Sequence, residues 1–372
     1  MGTFMYEVAE LPKSDVLALK GIDHIELYVG NARQAEHFYR TAFGFTPIAY
    51  AGLETGVHDR VSFIMQQGDI RLVLTSALRP DHPIAEHVRL HGDGVKDIAF
   101  TVDNTELVFE QAVSRGARPI AEPIALEDQS ARIIRATIGV YGDTMHSFIQ
   151  RDHANGAYLP GYQLIQTPPP ATPVGFTAID HVAVCVEVGT LDQWVEFYEQ
   201  VLGFHQLHEE KVQTEYSAMN SKAVQNSTGQ IKFPMMEPAP SKRKSQIEEY
   251  LAFYGGPGAQ HFAVITDDIV KTVRALRANG IEFRRTPDTY YDMLEDRVST
   301  ISADPMVLRE LNILVDRDQW GYLMQIFAKP LQDRPTLFCE VIQRKGARGF
   351  GSGNIKALFE SIEREQLLRA SA

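Results

Sequence analysis

The chain contains an internal repeat, and this feature restricts its fold more than any other. An Ile-Asp-His tripeptide ends at His24 and occurs again ending at His181, an offset of 157 residues in a chain of 372. In both copies the tripeptide opens an alternating, strand-like segment. A segment of helical spacing follows, and then a Gly-Phe pair at Gly44 and again at Gly203. The chain is therefore predicted to consist of two homologous halves.

Each half is predicted to contain a second module of the same kind. A strand-like segment at 95–102 precedes a helical segment at 105–114, and their counterparts in the second half cover 259–266 and 268–278. Strands and helices do not alternate regularly, and no GxGxxG follows a strand, so a doubly wound nucleotide-binding sheet is not expected. Four modules in two pairs indicate an α+β repeat architecture that forms an open cup.

Composition shifts divide the chain into five regions. Proline-rich sequence, which cannot continue a helix or a central strand, marks the middle of the chain around Pro168. The predicted regions are an N-terminal segment at 1–20, a first domain at 21–152, a proline-rich linker at 153–176, a second domain at 177–345, and a glycine-rich loop with a terminal helix at 346–372.

Composition also excludes some classes of partner. The formal net charge is −12, which disfavours nucleic acid and anionic membranes because both require a basic surface. The chain has 2 cysteines, too few for a disulfide framework, and both lie in apolar strand-like contexts. It shows no leader-like segment and no apolar run long enough to cross a membrane. We therefore expect a protein of the cytoplasm.

Two histidines of the second half occupy equivalent positions. His181 and His261 each stand early in the first strand of a module, and Glu340 interrupts an apolar strand-like segment at 336–342. A buried carboxylate is costly unless it is paired or binds a metal. A single core histidine is more commonly a hydrogen-bonded structural group, but equivalent placement of two favours ligands. Two histidines and one carboxylate form a metal-binding face typical of non-haem Fe²⁺.

The first half has different residues at the equivalent positions, namely His24, Asp97 and Ser147. A serine hydroxyl is a poor third ligand, so this half is predicted to have lost its metal. The other histidines of this half share no spacing and are predicted to be surface or locally bonded residues. They are His37, His58, His82, His87, His91, His146 and His153.

The tail combines a glycine-rich loop with a helical segment. The loop at 346–353 carries one large apolar residue, Phe350, and lacks the Lys-Ser/Thr of a phosphate-binding P-loop. Glycines permit hinge conformations, so we expect a mobile cover over a pocket. The segment from Asn354 to Arg369 is predicted to be an amphipathic helix with Asn354 as its N-cap.

Ordered motifs along the chain resemble those of 4-hydroxyphenylpyruvate dioxygenases, two-domain members of the vicinal oxygen chelate superfamily. The resemblance covers nearly the whole chain and is looser in the first half. The motifs are Ile-Asp-His at 179–181, Lys-Ser-Gln-Ile at 244–247, Gly-Gly-Pro-Gly-Ala-Gln-His at 255–261, Gly-Tyr-Leu-Met-Gln-Ile-Phe at 321–327, Arg-Pro-Thr-Leu-Phe-Cys-Glu at 334–340 and Gly-Phe-Gly-Ser-Gly-Asn at 349–354.

The resemblance implies a fold and an activity. The fold would be two tandem vicinal-oxygen-chelate domains, each of paired βαβββ modules forming an open barrel, followed by a C-terminal helix. The activity would be Fe²⁺-dependent conversion of 4-hydroxyphenylpyruvate and O₂ to homogentisate and CO₂ in tyrosine catabolism. His181, His261 and Glu340 would hold the iron, and the protein would be a homodimer or homotetramer.

The resemblance also implies roles for residues around the iron. Phe327 and Phe350 would sandwich the substrate ring. The other implied residues are Gln246, Gln260 and Gln325 as catalytic groups, and Ser221, Phe338 and Asn354 as substrate-binding groups. Taken alone, a phenylalanine in such a segment is more commonly a core residue.

One departure from the family pattern leaves alternatives open. The family motif is Pro-x-Asn-Glu-Pro, and its asparagine would bond the substrate's polar end. This chain has Met236 in place of that asparagine. 4-Hydroxymandelate synthase, which acts on the same substrate with the same ligands, is therefore a rival. An extradiol catechol dioxygenase and a non-catalytic binding protein of the same superfamily are further rivals. The complete metal triad argues against the binding protein.

Overall fold

A computed structural model describes residues 17–129, 132–153, 158–214, 216–292, 294, 298 and 301–370. Most of the predicted N-terminal segment 1–20 lies outside the described residues. So do positions 154–157 of the predicted linker and the last two residues of the predicted tail. The described strands form two large sheets, one in each half of the chain.

The first sheet is built from strands between positions 21 and 164. These are β1 Gly21–Tyr28, β2 Thr46–Ala51, β3 Arg60–Gln67, β4 Ile70–Ala77, β5 Gly94–Thr101, β6 Arg118–Glu127, β7 Arg132–Gly139, β8 Met145–His153 and β9 Gln163–Leu164. Their order in the sheet is β6-β7-β8-β5-β1-β4-β3-β2-β9. The short strand β9 lies within the segment predicted to be the linker and pairs with β2.

The second sheet repeats this topology. Its strands are β10 Phe176–Cys185, β11 His205–Gln213, β12 Ala218–Gln225, β13 Lys232–Pro238, β14 Gly258–Thr266, β15 Leu314–Arg317, β16 Tyr322–Phe327 and β17 Phe338–Lys345. Their order, β11-β12-β13-β10-β14-β17-β16-β15, is that of the first sheet without β9. The two central strands of each sheet are antiparallel, and each pairs in parallel with an outer neighbour. The predicted α+β repeat fold is confirmed.

Helices connect the strands and cover the sheets. They are α1 Ala32–Thr41, α2 Pro83–His91, α3 Thr105–Ser114, α4 Leu191–Gln200, α5 Gln246–Tyr254, α6 Ile269–Ala278, α7 Asp288–Asp292, α8 Pro305–Leu311 and α9 Ser352–Ala370. Asn31, Asn104 and Asp268 cap α1, α3 and α6 by accepting the backbone N–H three residues on. The three capped helices each follow a central strand, namely β1, β5 and β14, as the module pattern predicts.

The predicted start of the terminal helix is wrong by two residues. Helix α9 begins at Ser352, and Asn354 lies inside its first turn instead of capping it. The backbone oxygen of Gly351 already accepts from Asn354 N at 2.9 Å, and Asp316 Oδ2 accepts from Gly353 N at 2.8 Å. Because the carboxylate of Asp316 caps the helix, the side chain of Asn354 is available for another role.

Three histidines predicted to be surface or locally bonded are buried. His87 and His91 lie on α2, which packs against α5 of the second half, and His146 lies in the core between the sheets. His146 accepts from the Tyr198 hydroxyl at 2.6 Å and donates from Nδ1 to Ile98 O at 3.0 Å. The prediction was wrong for these residues because sequence spacing says nothing of how the halves pack.

Candidate metal centre

Strand register brings the three predicted ligands to one place. On β14, Ala263 pairs with His181 of β10 on one side and with Glu340 of β17 on the other. His261 lies two residues before Ala263 and therefore on the same face of the sheet. The small side chain of Ala263 leaves room for the neighbouring ligands to converge.

The donor atoms of the three side chains lie at metal-binding separations. Glu340 Oε2 lies 3.3 Å from His181 Nε2 and 3.4 Å from His261 Nε2. All three ligand atoms lie within 4.8 Å of one another. His181, His261 and Glu340 are 3%, 6% and 2% exposed, so the cluster is shielded from bulk water.

Neighbouring groups orient both imidazoles toward the carboxylate. His181 Nδ1 donates to Asp180 Oδ1 at 2.8 Å, and His261 Nδ1 donates to Gln260 Oε1 at 3.0 Å. These bonds leave each Nε2 lone pair directed at the shared centre, an arrangement typical of metal-bound histidines. Arg344 in turn holds both oxygens of Asp180 at 2.7 Å.

The electrostatics of the cluster favour an ionised carboxylate. Burial alone would raise the pKa of Glu340, but His181 and His261 outweigh it and the pKa is lowered. Burial opposes a charge on His181 as well, yet Glu340 and Asp180 raise its pKa, whereas burial lowers the pKa of His261. A buried carboxylate facing two imidazoles is the charge pattern that a cation completes.

The donor set fits a first-row metal ion such as Fe²⁺. Two neutral imidazole nitrogens and one carboxylate form a three-ligand face that leaves other coordination positions open. Each ligand comes from a different strand of a single sheet, so the rigid ladder fixes their mutual positions. The three residues therefore fit the metal that the sequence predicted.

Aromatic side chains surround the ligands. The Phe338 ring stacks on His261 with centroids 4.7 Å apart, and the Phe327 ring meets His261 edge-on at 6.2 Å. Phe350, from the glycine-rich loop, meets His181 edge-on at 5.2 Å and is 7% exposed. Three of the residues predicted to bind substrate thus lie against the ligands, and the loop covers them.

Polar side chains on α5, β16 and α9 are buried with unused hydrogen-bonding capacity. Among the described residues, Gln246 Oε1, Gln325 Oε1 and Asn354 Nδ2 are buried and have no hydrogen-bond partner. Asn354 Oδ1 accepts from the Tyr290 hydroxyl at 2.5 Å, which fixes that side chain. Gln325 lies two residues before Phe327, which pairs with Glu340, so it shares that face of β16. Buried unsatisfied groups are costly, so an unsatisfied amide there indicates a site for a polar ligand.

Gly351 leaves space for two of these groups. Its backbone has φ of +77°, and a Cβ there would lie 3.0 Å from Gln325 Oε1 and 3.1 Å from Asn354 Nδ2. Only glycine adopts this conformation readily and leaves this space. The glycine-rich loop is therefore matched to the polar groups beneath it.

Ser221 and Met236 lie directly opposite each other on β12 and β13. Met236 is 6% exposed and packs in an apolar cluster with Ile247, Tyr250 and Phe359. Ser221 is 9% exposed. Met236, which replaces the asparagine of the family motif, is therefore buried in an apolar setting between the sheet and helices α5 and α9.

The first half keeps the support of the site but not the complete set of ligands. Asp23 receives His24 Nδ1 at 2.6 Å and Arg151 Nη2 at 2.7 Å, in the same arrangement as Asp180, His181 and Arg344. The carboxylate of Asp97 is occupied by Ser147 and by Arg135 at 3.3 Å. In the described part of this half, His24 and Asp97 belong to no cluster with metal-binding geometry.

Comparisons with known proteins agree with this geometry. The family model of the glyoxalase/bleomycin resistance protein/dioxygenase superfamily matches residues 21–136 and 178–326. A 4-hydroxyphenylpyruvate dioxygenase of Yarrowia lipolytica is 44% identical over 370 residues, covering 95% of this chain and 93% of the relative. One from Xenopus tropicalis is 44% identical over 361 residues, covering 94% and 92%.

The chain belongs to the 4-hydroxyphenylpyruvate dioxygenase family. It is accordingly an enzyme, a dioxygenase of the vicinal oxygen chelate type. A solved structure of a mutant 4-hydroxymandelate synthase from Streptomyces coelicolor also matches, with a TM-score of 0.85, 40% identity, and coverage of 94% of this chain and 99% of that one. Among the described residues, no helix is long and apolar enough to cross a membrane.

Several residues that support the site were not predicted from the sequence. Asp180 and Arg344 orient His181, Tyr290 holds Asn354, and Lys232 lies 3.9 Å from Asp180. The repeat carried a signal for the first two, because Asp23 and Arg151 occupy the matching positions of the first half. Strand register also matches Lys232 with Arg71 of the first half, whereas Tyr290 gave no such signal.

Proposed function

We propose that this chain converts 4-hydroxyphenylpyruvate and O₂ to homogentisate and CO₂ at an Fe²⁺ held by His181, His261 and Glu340. One observation carries the proposal: a buried three-ligand face walled by phenylalanines, in a chain 44% identical to a named dioxygenase over 95% of its length. The equation balances without an external reductant, since the 2-oxo acid supplies two of the electrons that reduce O₂.

Bound iron would supply the chemistry that activates O₂ and binds the 2-oxo acid. The three protein ligands occupy one face and leave the other positions to the substrate and O₂. Asp180 and Gln260 keep the Nε2 atoms of the two histidines directed at the metal. The ionised Glu340 offsets part of the cation's charge inside the sheet.

The remaining side chains would bind and orient the aromatic acid. Phe327, Phe338 and Phe350 offer ring faces and edges for the substrate ring. The unsatisfied Gln246 and Gln325 oxygens can accept from its phenol, while Asn354 Nδ2 can donate to it. Ser221, which pairs with Met236 across β12 and β13, would line the edge of this pocket.

Closure would exclude water during the reaction. Phe350 lies against His181, and α9 packs against β11 and β15, the two end strands of the second sheet, so the loop and the helix would cover the cluster. A closed apolar site protects reactive species from water and strengthens the polar contacts within it. We propose that the loop at 346–353 opens to admit substrate and then closes over it.

The test is product identification. Metal-free protein is loaded with Fe²⁺ without air, mixed with 4-hydroxyphenylpyruvate and exposed to O₂, and the products are separated and compared with standards by NMR. We expect homogentisate. Mass alone cannot decide, because homogentisate and 4-hydroxymandelate are isomers and both accompany the release of one CO₂.

A second function, 4-hydroxymandelate synthase, has a specific observation in its favour. The matched solved structure bears that name, with a TM-score of 0.85, and Met236 removes a polar partner that ring placement in the main reaction would use. 4-Hydroxymandelate as the dominant product would establish this reaction in place of the first. Oxygen uptake with catechols but not with 2-oxo acids would contradict both and support an extradiol enzyme.

Glu340→Ala separates these enzymes from a binding protein. The variant should lose bound Fe²⁺ and turnover, because two neutral imidazoles without the carboxylate hold the ion weakly. Cys339→Ala is a matched control on the same strand, since Cys339 is equally buried and lies on the opposite face. If the wild type and Glu340→Ala bound the substrate equally well and neither was active, the result would support a binding role.

We propose in addition that the enzyme acts in tyrosine catabolism in the cytoplasm, as a homodimer or homotetramer. An exposed strand supports the self-association: β6 lies at the outer edge of the first sheet, and Ile120 and Ile124 on it are 44% and 55% exposed. Unpaired strand edges with exposed apolar residues favour pairing with another chain. Light scattering after size-exclusion chromatography measures the assembly.

A further inference from the structure

A second group of ligand-type side chains lies where the two halves meet. His87 and His91 are one turn apart on α2, so they share a helix face, and Asp143 lies in the turn between β7 and β8. The three ligand atoms lie within 4.8 Å of one another. His87 and His91 are 3% and 6% exposed, while the Asp143 side chain is 48% exposed and open to solvent.

The separations fit a tetrahedral ion. Asp143 Oδ2 lies 3.2 Å from His91 Nε2 and 3.6 Å from His87 Nδ1. Bonds of 2.0–2.2 Å to nitrogen and oxygen in a tetrahedral zinc site place neighbouring ligands roughly 3.3–3.6 Å apart. One of these two distances therefore lies within this range, and the other is about 0.1 Å below it.

The protonation of His91 leaves a lone pair facing the carboxylate. His91 Nδ1 lies 2.6 Å from the backbone oxygen of Tyr254, which can only accept, so Nδ1 carries the proton. In the neutral ring, Nε2 is then an acceptor pointing at another acceptor, Asp143 Oδ2. A cation between them, or a second proton on His91, resolves this opposition. A backbone carbonyl on the far ring nitrogen is also the support that metal-bound histidines commonly have.

His87 supplies an independent indication. Within the described part of the chain, both of its ring nitrogens are buried and have no hydrogen-bond partner. Its surroundings are rings, with Tyr28 edge-on at 5.3 Å and His91 at 4.6 Å. A second proton on His91 would satisfy Asp143 but would leave both nitrogens of His87 without a partner, whereas a metal ion would bind one nitrogen of each histidine and the carboxylate.

Other charges near the cluster permit this arrangement. Lys96 Nζ donates to the backbone oxygen of Asp143 at 2.5 Å, so its hydrogen bond is to the main chain and the carboxylate remains available. Burial, together with His91 and Lys96, lowers the pKa of His87 to about 3. His87 is thus a neutral imidazole, the form that binds metals.

We propose that His87, His91 and Asp143 bind a divalent transition-metal ion of the zinc type, with water as its fourth ligand. The ion would have a structural role, separate from the reaction at His181, His261 and Glu340. Through the bond of His91 to the Tyr254 carbonyl, and the stacking of their rings at 4.4 Å, it would fasten α2 of the first half to α5 of the second.

The test counts bound Zn²⁺. Metal-free proteins are dialysed against Zn²⁺, and the bound metal is measured by mass spectrometry. We expect two equivalents in the wild type, since Zn²⁺ also occupies the first cluster, one in Glu340→Ala, and none in Glu340→Ala/Asp143→Asn. Asp143→Asn is the chosen change because its exposed side chain lets the fold survive.

Two further measurements keep the outcome decisive. Co²⁺ in Glu340→Ala should give the strong visible absorption of a four-coordinate ion, and Zn²⁺ should raise its Tm. Both effects should vanish with Asp143→Asn or His87→Gln and persist with His58→Gln, which changes an exposed histidine. One equivalent in the wild type, or one retained in Glu340→Ala/Asp143→Asn, would overturn the proposal.

Discussion

At the scale of single residues, Met236 is a position where this chain departs from the expected family pattern. The side chain is 6% exposed and packs among apolar side chains of α5 and α9. Its neighbour across the strands is Ser221, a predicted substrate-binding residue. An asparagine here would therefore sit in an apolar pocket and depend on the substrate for its hydrogen bonds.

Met236→Asn should weaken the empty protein and strengthen substrate binding. We expect the free energy of unfolding to fall by at least about 2 kcal/mol, because a packed apolar side chain is replaced by an unsatisfied amide. A new hydrogen bond worth about 1 kcal/mol would lower the Kd for 4-hydroxyphenylpyruvate roughly fivefold. Urea unfolding and anaerobic titration of the iron-loaded protein measure the two effects.

Met236→Leu is the matched control, since it keeps the volume and polarity and should leave Kd nearly unchanged. Weaker substrate binding by the asparagine variant than by the leucine variant would show that this side chain does not face the substrate. The ratio of homogentisate to 4-hydroxymandelate, measured in both variants, shows whether the position also directs the product.

At the scale of elements, the strands β1 and β10 show what the duplication preserved. Each carries an aspartate that bonds the following histidine and an arginine, which is Arg151 of β8 or Arg344 of β17. In both pairs the aspartate is buried, and the arginine side chain is 16% exposed. The support is thus common to the two halves, while the ligands at the positions of Asp97 and Ser147 differ.

Asp180→Asn and Asp23→Asn form a matched pair. Both should destabilise the fold by up to roughly 3–5 kcal/mol, because each leaves a largely buried arginine without its carboxylate. Only Asp180→Asn should lower the affinity for Fe²⁺, by about 10–100-fold, since it disturbs the orientation of a ligand. Competition with a chelator gives the affinities. An equal loss of metal in both variants would mean that the effect is one of stability alone.

Gly351→Ala tests the loop that covers the site. The backbone at this position has φ of +77°, which alanine adopts poorly. The added Cβ would also lie 3.0 Å from Gln325 Oε1 and 3.1 Å from Asn354 Nδ2, so the loop should fail to close over the polar groups. We expect kcat/KM for 4-hydroxyphenylpyruvate to fall at least about tenfold, a change of about 1.4 kcal/mol in transition-state binding.

Gly349→Ala provides the comparison within the same loop. A Cβ there would meet only Asp318 Oδ2 at 3.5 Å, an ordinary contact, and the residue does not have a positive φ. Its kcat/KM should stay within roughly twofold of the wild type. If the two alanine variants were equally active, closure of the loop at Gly351 would have no part in turnover.

The elements show which features were predictable from sequence. Strands and first helices follow from local periodicity, and the repeat reveals the ligands because equivalent positions can be compared between halves. Partners far apart in the chain, such as Tyr290 with Asn354, follow from neither signal. The start of α9 was misplaced for the same reason, because its capping carboxylate, Asp316, comes from another segment.

At the scale of the whole molecule, the packing of the halves against each other was not predictable. The two sheets share one large apolar core, and polar bonds cross between the halves. Gln67 Oε1 accepts from the backbone N–H groups of Val174 and Phe176, and Gln332 bonds both N–H and C=O of Asp93. These contacts join surfaces with no repeated counterpart, so comparison of the copies could not reveal them.

His146 makes this packing sensitive to acid. Burial lowers its pKa from 6.5 to about 4 despite the nearby Asp97, and the neutral ring accepts from Tyr198 and donates to Ile98 O. The unfolded chain binds a proton below pH 6.5 that the folded chain does not bind until about pH 4. Stability is therefore present above the ordinary histidine pKa and falls as the pH drops through this window.

His146→Gln should remove that part of the pH dependence, because an amide can keep both hydrogen bonds and does not titrate here. Between pH 7 and pH 5, the wild type should lose about 2 kcal/mol more unfolding free energy than the variant. Urea unfolding of both proteins at the two pH values measures the difference. Parallel losses would place the acid sensitivity at other buried groups, with His87 first among them because its pKa is also lowered, to about 3.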